Sequence, residues 1–254
     1  MKKLLLLVLA SLALPVAAFA GGDLTWKECV GSAGALNNQV FNCTGTTNIN
    51  YVLIVQFKSP TGLANAVAVT AIVDLETDQG AVPLSPFWRY DAGACQRPGA
   101  IQGVAMFDNI ALVPTCDPVG GTGSDLDLWD GDGSGGTEGI GAYGADFPTP
   151  GRGRFVLIDA RTTPTGLVPS PANYYAFHLT FNNRHRSDCA GCTQKAALVL
   201  NKIIIESNDG TPPLELTGPD KKSNCATING GGQALCDATP ARNTTWGQLK
   251  AIYR

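Results

Sequence analysis

The sequence predicts an all-β protein: a two-sheet antiparallel sandwich of jelly-roll-like kind, with long loops and a short C-terminal helix. Three observations carry this expectation. The apolar segments are short and rich in β-branched and aromatic residues. No amphipathic helical pattern separates them, which disfavours a βαβ arrangement. Turn formers are abundant, with 30 glycines and 16 prolines, while only 15% of the residues are charged. The apolar segments between the turns are too strong for a disordered chain.

The elements follow in order. Tyr51–Phe57 is a β-branched and aromatic run that stops at Ser59-Pro60, and it reads as a strand. Ala66–Val73 alternates, with Val67, Val69 and Ala71 on one face. Ile101–Phe107 and Ile110–Val113 flank Asp108-Asn109, the pattern of a hairpin. Arg154–Asp159 reads as a short buried strand. In Tyr174–Phe181 the alternation places Tyr175, Phe177, Leu179 and Phe181 on one face. Ala196–Glu206 is apolar on both sides, with Leu198, Leu200, Lys202 and Ile204 opposite Val199, Asn201, Ile203 and Ile205, so it belongs in the centre of a sheet. Leu214–Leu216 adds a short strand. The stretch 117–153 is Gly- and Asp-rich and reads as one long acidic loop. The tail 241–254 reads as helical: Thr244 or Thr245 caps it, and Trp246, Leu249 and Tyr253 share a side.

The N-terminus has the form of a secretory signal. Lys2 and Lys3 precede the apolar run Leu4–Leu14, and Ala18-Phe19-Ala20 stands before Gly21. The expected organisation is a signal peptide over 1–20, a sandwich over 21–240 and the tail. The expected location is secreted or at the cell surface. All eight cysteines, Cys29, Cys43, Cys95, Cys116, Cys189, Cys192, Cys225 and Cys236, lie in the exported part, as expected of a disulfide framework in an oxidising compartment. Pairing of sequence neighbours would give Cys29–Cys43, Cys95–Cys116, Cys189–Cys192 and Cys225–Cys236. The formal charge of −3 and the absence of a Lys/Arg cluster argue against a nucleic-acid partner. No apolar run after the signal is long enough to span a bilayer. The sequence sets no oligomeric state.

Four features invite chemistry. Cys189-Ala-Gly-Cys192 is a Cys-x-x-Cys whose first reading is a disulfide tightening a turn, with Gly191 permitting a sharp backbone. Zinc held by His185, Cys189, Cys192 and His178 is a second reading, and thiol redox a third. Against redox, β structure follows the motif, where a reactive thiol needs a helix N-terminus. The acidic loop offers Asp125, Asp127, Asp130, Asp132, Ser134 and Glu138 as a calcium set. Its spacing starts as a calcium loop does, but the twelfth position is Gly141 instead of a bidentate Glu. Asp132-Gly-Ser134-Gly-Gly136 has an extra glycine for a serine-protease motif, and neither histidine precedes it. Finally, Trp88, Tyr90 and Trp129 are candidate platforms for stacking on sugar rings, the alternative being that they plug the ends of the sandwich.

Phe87-Trp88 with Cys95, the Cys-Ala-Gly-Cys turn leading into Leu198-Val199-Leu200-Asn201, and the ending Trp246-Gly-x-Leu-Lys-x-Ile-Tyr-Arg254 together resemble a group of uncharacterised secreted, disulfide-rich bacterial proteins. The last strands resemble the closing strands of jelly-roll carbohydrate-binding modules, a likeness of fold that implies no activity. The expected function is a secreted, non-catalytic structural or interaction module. The alternatives are a calcium-assisted carbohydrate-binding protein, with a polysaccharide or a cell-surface protein as partner, and a secreted hydrolase or thiol-redox enzyme.

Overall fold

The computed structural model describes residues 21–44, 48–91, 94–96, 100–104, 126–127, 137–169, 173–183, 185–186, 189–217, 224–231 and 236. The expected signal segment 1–20, Cys116 and the tail 241–254 lie outside the described residues, as does the second half of the expected hairpin after Val104.

The described chain is all-β, in two sheets. The smaller sheet joins β1 (Gly22–Trp26), β3 (Asn50–Phe57), β9 (Tyr174–Asn182) and β5 (Ile101–Val104) in that order, with β6 (Leu126–Asp127) parallel to β9. The larger sheet runs β2 (Asn38–Gln39), β12 (Cys225–Ile228), β10 (Ala196–Ser207), β4 (Leu63–Thr77), β8 (Arg152–Leu167) and β7 (Thr137–Ala145), with β11 (Leu214–Leu216) also on β10. The strand β10 is central, as its two apolar sides require. The chain crosses between sheets from β3 to β4 and again from β8 to β9. Because β3 pairs with β9 and β4 with β8, the two crossings run side by side as one antiparallel ribbon.

Both sheets contribute to one core. Leu53, Val55, Phe57, Phe177, Leu179 and Phe181 from the smaller meet Val73, Leu75, Phe155, Leu157, Leu198 and Leu200 from the larger. Trp26 bolts the sheets together: its indole N–H donates to the Thr227 carbonyl at 2.9 Å, and its ring meets Phe41 and Phe181 edge-on.

Two bulges overturn the expected strand faces. Between Leu200 and Lys202 the register of β10 on β4 shifts by one residue. The core face therefore runs Leu198, Leu200, Ile203, Ile205, and Lys202 points outward to Glu215 at 2.7 Å. In β9, Gln56 pairs with Tyr175 while Val55 pairs with Phe177, so Ala176 is the extra residue. Tyr174 enters the core and Tyr175 moves to the opposite face with Ile54 and Cys29. A single inserted residue exchanges the faces beyond it, because side chains alternate with period two.

The stretch 117–153 is not one loop: β6, β7 and the start of β8 lie within it. The β7 sequence is rich in glycine, a poor strand former, and its strand is made by pairing along β8 from Thr137↔Ala160 to Ala145↔Gly153. Strands β1, β2 and β12 are also additional to the sequence expectation.

The disulfides correct most of the neighbour pairing. Cys43 bonds Cys192, Cys95 bonds Cys189, and only Cys225–Cys236 pairs as expected. Cys29 is disulfide-bonded too, and not to Cys43. The Cys-x-x-Cys turn is thus tied to two distant segments instead of closed on itself. Proximity in sequence fails here because the turn carries the chain from one sheet to the other, where residues 43 and 95 converge. In the chain-entropy picture a bridge over a 149-residue separation stabilises more than one over 11. Replacing Cys43 and Cys192 together by alanine should cost about 4–5 kcal/mol, and replacing Cys225 and Cys236 about 3 kcal/mol. Urea unfolding of the two variants would reveal the order.

Candidate functional site

The face of the larger sheet opposite the core carries a row of paired charges. On β4, Asp74 and Glu76 alternate with the core residues Val73 and Leu75. On β8, Arg152 and Arg154 alternate with Phe155. Antiparallel register sets Asp74 against Arg154 and Glu76 against Arg152. The first pair is bidentate, at 2.6 and 2.7 Å, and both residues are buried. The Arg154 guanidinium lies 5.4 Å from the centre of the Phe147 ring. The second pair spans 3.2 Å.

Beyond the Glu76–Arg152 pair the sheet ends in a cleft of about 280 Å³, open to solvent on one side. Thr77, Asp78, Gly80 and Ala81 form one wall. Thr149, Pro150, Gly151 and Arg152 form the other, and Glu76 also lines the cleft. Asp146 ties the Gly151 wall to the segment that follows the other wall: one carboxylate oxygen accepts from the Leu84 amide at 2.7 Å and from the Gly151 amide at 3.1 Å. Its other oxygen accepts from Arg89 at 3.2 Å. Gly151 has φ +82°, and a Cβ there would stand 1.9 Å from the Gly80 carbonyl oxygen, so only glycine lets the turns touch. The backbone itself thus holds the two turns against each other.

A second group of charges lies at the edge of the core. Asp159 is fully buried and meets Arg161 at 3.1 Å, and the Glu138 carboxylate stands 4.0 Å from Arg161. Glu138, expected as a calcium ligand, faces this cation. Of the remaining expected set, Asp127 lies in β6 beside Tyr175, while Asp125, Asp130, Asp132 and Ser134 lie outside the described residues. Among the described residues no three His, Cys, Asp or Glu side chains are grouped to hold a metal ion.

The aromatic platforms are relocated. Trp88 has no exposed surface: it sits in the core, and its indole N–H donates to the Gly191 carbonyl at 2.9 Å. A sugar cannot stack on it, which corrects that expectation in favour of a plug. Its short 3-10 turn, Pro86–Trp88, is held by Phe87 N–H donating to the Ala190 carbonyl. Tyr90 is half-buried against Tyr143, Phe155 and Phe181, and burial raises its phenol pKa. Burial raises Tyr143 as well, and its hydroxyl donates to the Trp88 carbonyl. Trp129 lies outside the described residues.

The zinc and thiol-redox readings of the Cys-x-x-Cys also fall. Both cysteines are oxidised to distant partners, and the histidines are engaged elsewhere. His185 Nδ1 is 2.6 Å from the Arg186 carbonyl, and its ring packs on Phe87. His178 is buried on the far face of the smaller sheet, hydrogen-bonded through Nδ1 to the Tyr175 hydroxyl. The β9 bulge brings these two side chains together. Gly191 has φ +106° and no room for a Cβ beside Ser85, in keeping with the tight turn expected there.

The chain matches no family model and no curated protein. The cleft was legible in principle: Asp74-Leu-Glu76 and Arg152-Gly-Arg154 are matched i, i+2 charge pairs in two strand-like segments, which antiparallel pairing brings into register.

Two outcomes follow. Asp74→Ala leaves a buried guanidinium without its partner and should cost about 3–5 kcal/mol, whereas a joint apolar replacement of Asp74 and Arg154 should recover most of that loss in chemical denaturation. Burial lowers His178 to about 4, against about 6.5 in an unfolded chain. The unfolded chain therefore takes up a proton first as pH falls. The stability from the neutral imidazole is complete above about pH 6.5 and is lost progressively toward pH 4, by about 3 kcal/mol. His178→Gln should flatten the pH dependence of unfolding in that window.

Proposed function

We propose that this chain is an exported, non-catalytic interaction module whose two sheets stack as a jelly-roll-like sandwich. The side-by-side crossings of the β3–β4 and β8–β9 ribbon support that packing. One observation carries the functional reading: among the described residues, the cysteines of the Cys-x-x-Cys turn, the buried carboxylates and the buried histidine are engaged in holding the structure. Cys189 and Cys192 are cross-linked, Asp74, Glu76 and Asp159 face arginines, and His178 is buried against Tyr175. A general base or nucleophile needs a poised group that can change its partner during reaction.

Export is the second half of the proposal. The disulfides fit an oxidising compartment, and no described helix is long and apolar enough to cross a membrane. Secretion or display at the cell surface agrees with the signal-like start.

A carbohydrate-binding role is the second reading, favoured by the preformed polar cleft. It passes from Trp88 to the cleft walls. Calcium ordering of the acidic segment would draw on Asp125, Asp127, Asp130, Asp132 and Ser134, since Arg161 competes for Glu138. The test is turnover. The oxidised protein should release no reducing sugar from a panel of polysaccharides and catalyse no thiol–disulfide exchange. Sugar release lost in Glu76→Gln, or exchange lost in Cys192→Ser, would overturn the module reading.

A further inference from the structure

We propose that the cleft between the turns at 77–81 and 149–152 binds a single uncharged hexose unit. The inference rests on the reading of the chain as a binding module and names the ligand class for it.

Size comes first. A cavity of about 280 Å³ lies just below the usual range for small-molecule sites, about 300–1,000 Å³, which suits one ring and excludes a chain of rings inside it. The chemistry of the walls comes next. Glu76 and Asp78 supply carboxylate acceptors and Arg152 supplies donors. Thr77 and Thr149 supply hydroxyls that do both, and Gly80 and Gly151 bring backbone close to the space. A sugar hydroxyl is donor and acceptor at once, so a wall alternating carboxylate and guanidinium satisfies both of its roles. The Pro150 ring and the Ala81 methyl add apolar surface for the C–H face of a pyranose.

Charge selects among sugars. Two carboxylates and one guanidinium leave the cleft net negative, which opposes uronic and sialic acids. The guanidinium in the wall opposes a bare metal cation. Rigidity supplies the remaining argument. Asp146 ties the Gly151 amide of one wall to the Leu84 amide, three residues past the other, and the Gly80–Gly151 approach closes the walls on each other. A ligand entering a fixed cleft loses less binding energy to ordering of the protein. Without an aromatic face among the cleft residues, affinity should be in the millimolar range.

The experiment is an amide chemical-shift titration of the oxidised exported protein with D-glucose, D-galactose, D-mannose and D-glucuronate. At least one neutral hexose should give saturable shifts concentrated at Thr77, Gly80, Ala81, Gly151 and Arg152, with glucuronate giving none. Glu76→Gln should abolish the shifts but also removes the charge facing Arg152, so a variant outside the ion pair is needed. Ala81 is exposed, and Ala81→Phe fills the cleft from its rim. It should raise the dissociation constant at least tenfold while the remaining amide spectrum is preserved. The proposal is overturned if no neutral hexose shifts these amides, if glucuronate binds equally well, or if Ala81→Phe binds as the parent does. None of these results bears on turnover, so the cleft can fail while the module reading stands, and the reverse.

Discussion

The turn from Cys189 to Cys192 carries the chain from β9 in the smaller sheet to β10 in the larger one, and two disulfides fix it there. Cys43 and Cys95 reach it from separate parts of the sequence. Hydrogen bonds complete the attachment. Trp88 donates its indole N–H to the Gly191 carbonyl, Phe87 its amide N–H to Ala190, and Asn229 its side-chain amide to Cys192 and Gln194. Asn229 also accepts from the Phe41 amide. The turn is thus where strands from both sheets, the 3-10 segment and the segment around Phe41 are held at fixed distances. A crossover turn with only its own backbone would leave these segments free to separate at the end of the core. Covalent closure from two directions removes that freedom from both the folded and the unfolded ensembles.

The charge row on the larger sheet works differently. A buried ion pair is a poor source of net stability, because desolvation offsets much of the attraction. Its effect here is on register. Asp74 and Glu76 meet Arg154 and Arg152 only when β4 and β8 align as they do. A slip of one residue would turn Val73 and Leu75 out of the core and leave four charges facing apolar neighbours. Alternative pairings are thereby made costly along β4 and β8, the two longest described strands. Phe147 covers the outer side of the Arg154 guanidinium, which allows a charge to be buried on a face that the core does not reach.

Strand existence was legible in the sequence wherever β-branched and aromatic residues cluster, and β3, β9, β10 and β11 follow the expected spans closely. Strand faces were less legible. The bulges at Ala176 and near Asn201 insert one residue each, and no local propensity marks either position. They are fixed by the neighbouring strands: at the second, the Leu200 N–H donates to the Asn224 carbonyl while the Asn224 side chain donates to the Leu200 carbonyl. The glycine-rich β7 was illegible for the same reason, since its extended form comes from β8. Disulfide partners were illegible because pairing depends on where the crossover turn arrives in space. For the candidate site, the aromatic signal misled: Trp88 is large and polar at one end, and that end finds a buried carbonyl instead of solvent. The cleft was carried by charges whose meaning appears only after β4 and β8 are paired.

The cleft and the cross-linked turn are mechanically one unit. Ser85 donates its hydroxyl to Gln194, just past the turn, and stands so close to Gly191 that no side chain fits between them. Its neighbour Leu84 donates its amide to Asp146, which also receives the Gly151 amide of the opposite cleft wall. Arg89, at the end of the same segment, reaches Asp146 and Asp91. The segment 84–89 is therefore held on one side by the oxidised turn and on the other by a single carboxylate that closes the cleft. Asp146 adopts φ +54°, an uncommon conformation for a residue with a side chain. Its carboxylate compensates by satisfying two backbone donors and a guanidinium at once. The shape of the cleft thus depends on the cross-linked turn as well as on its own walls.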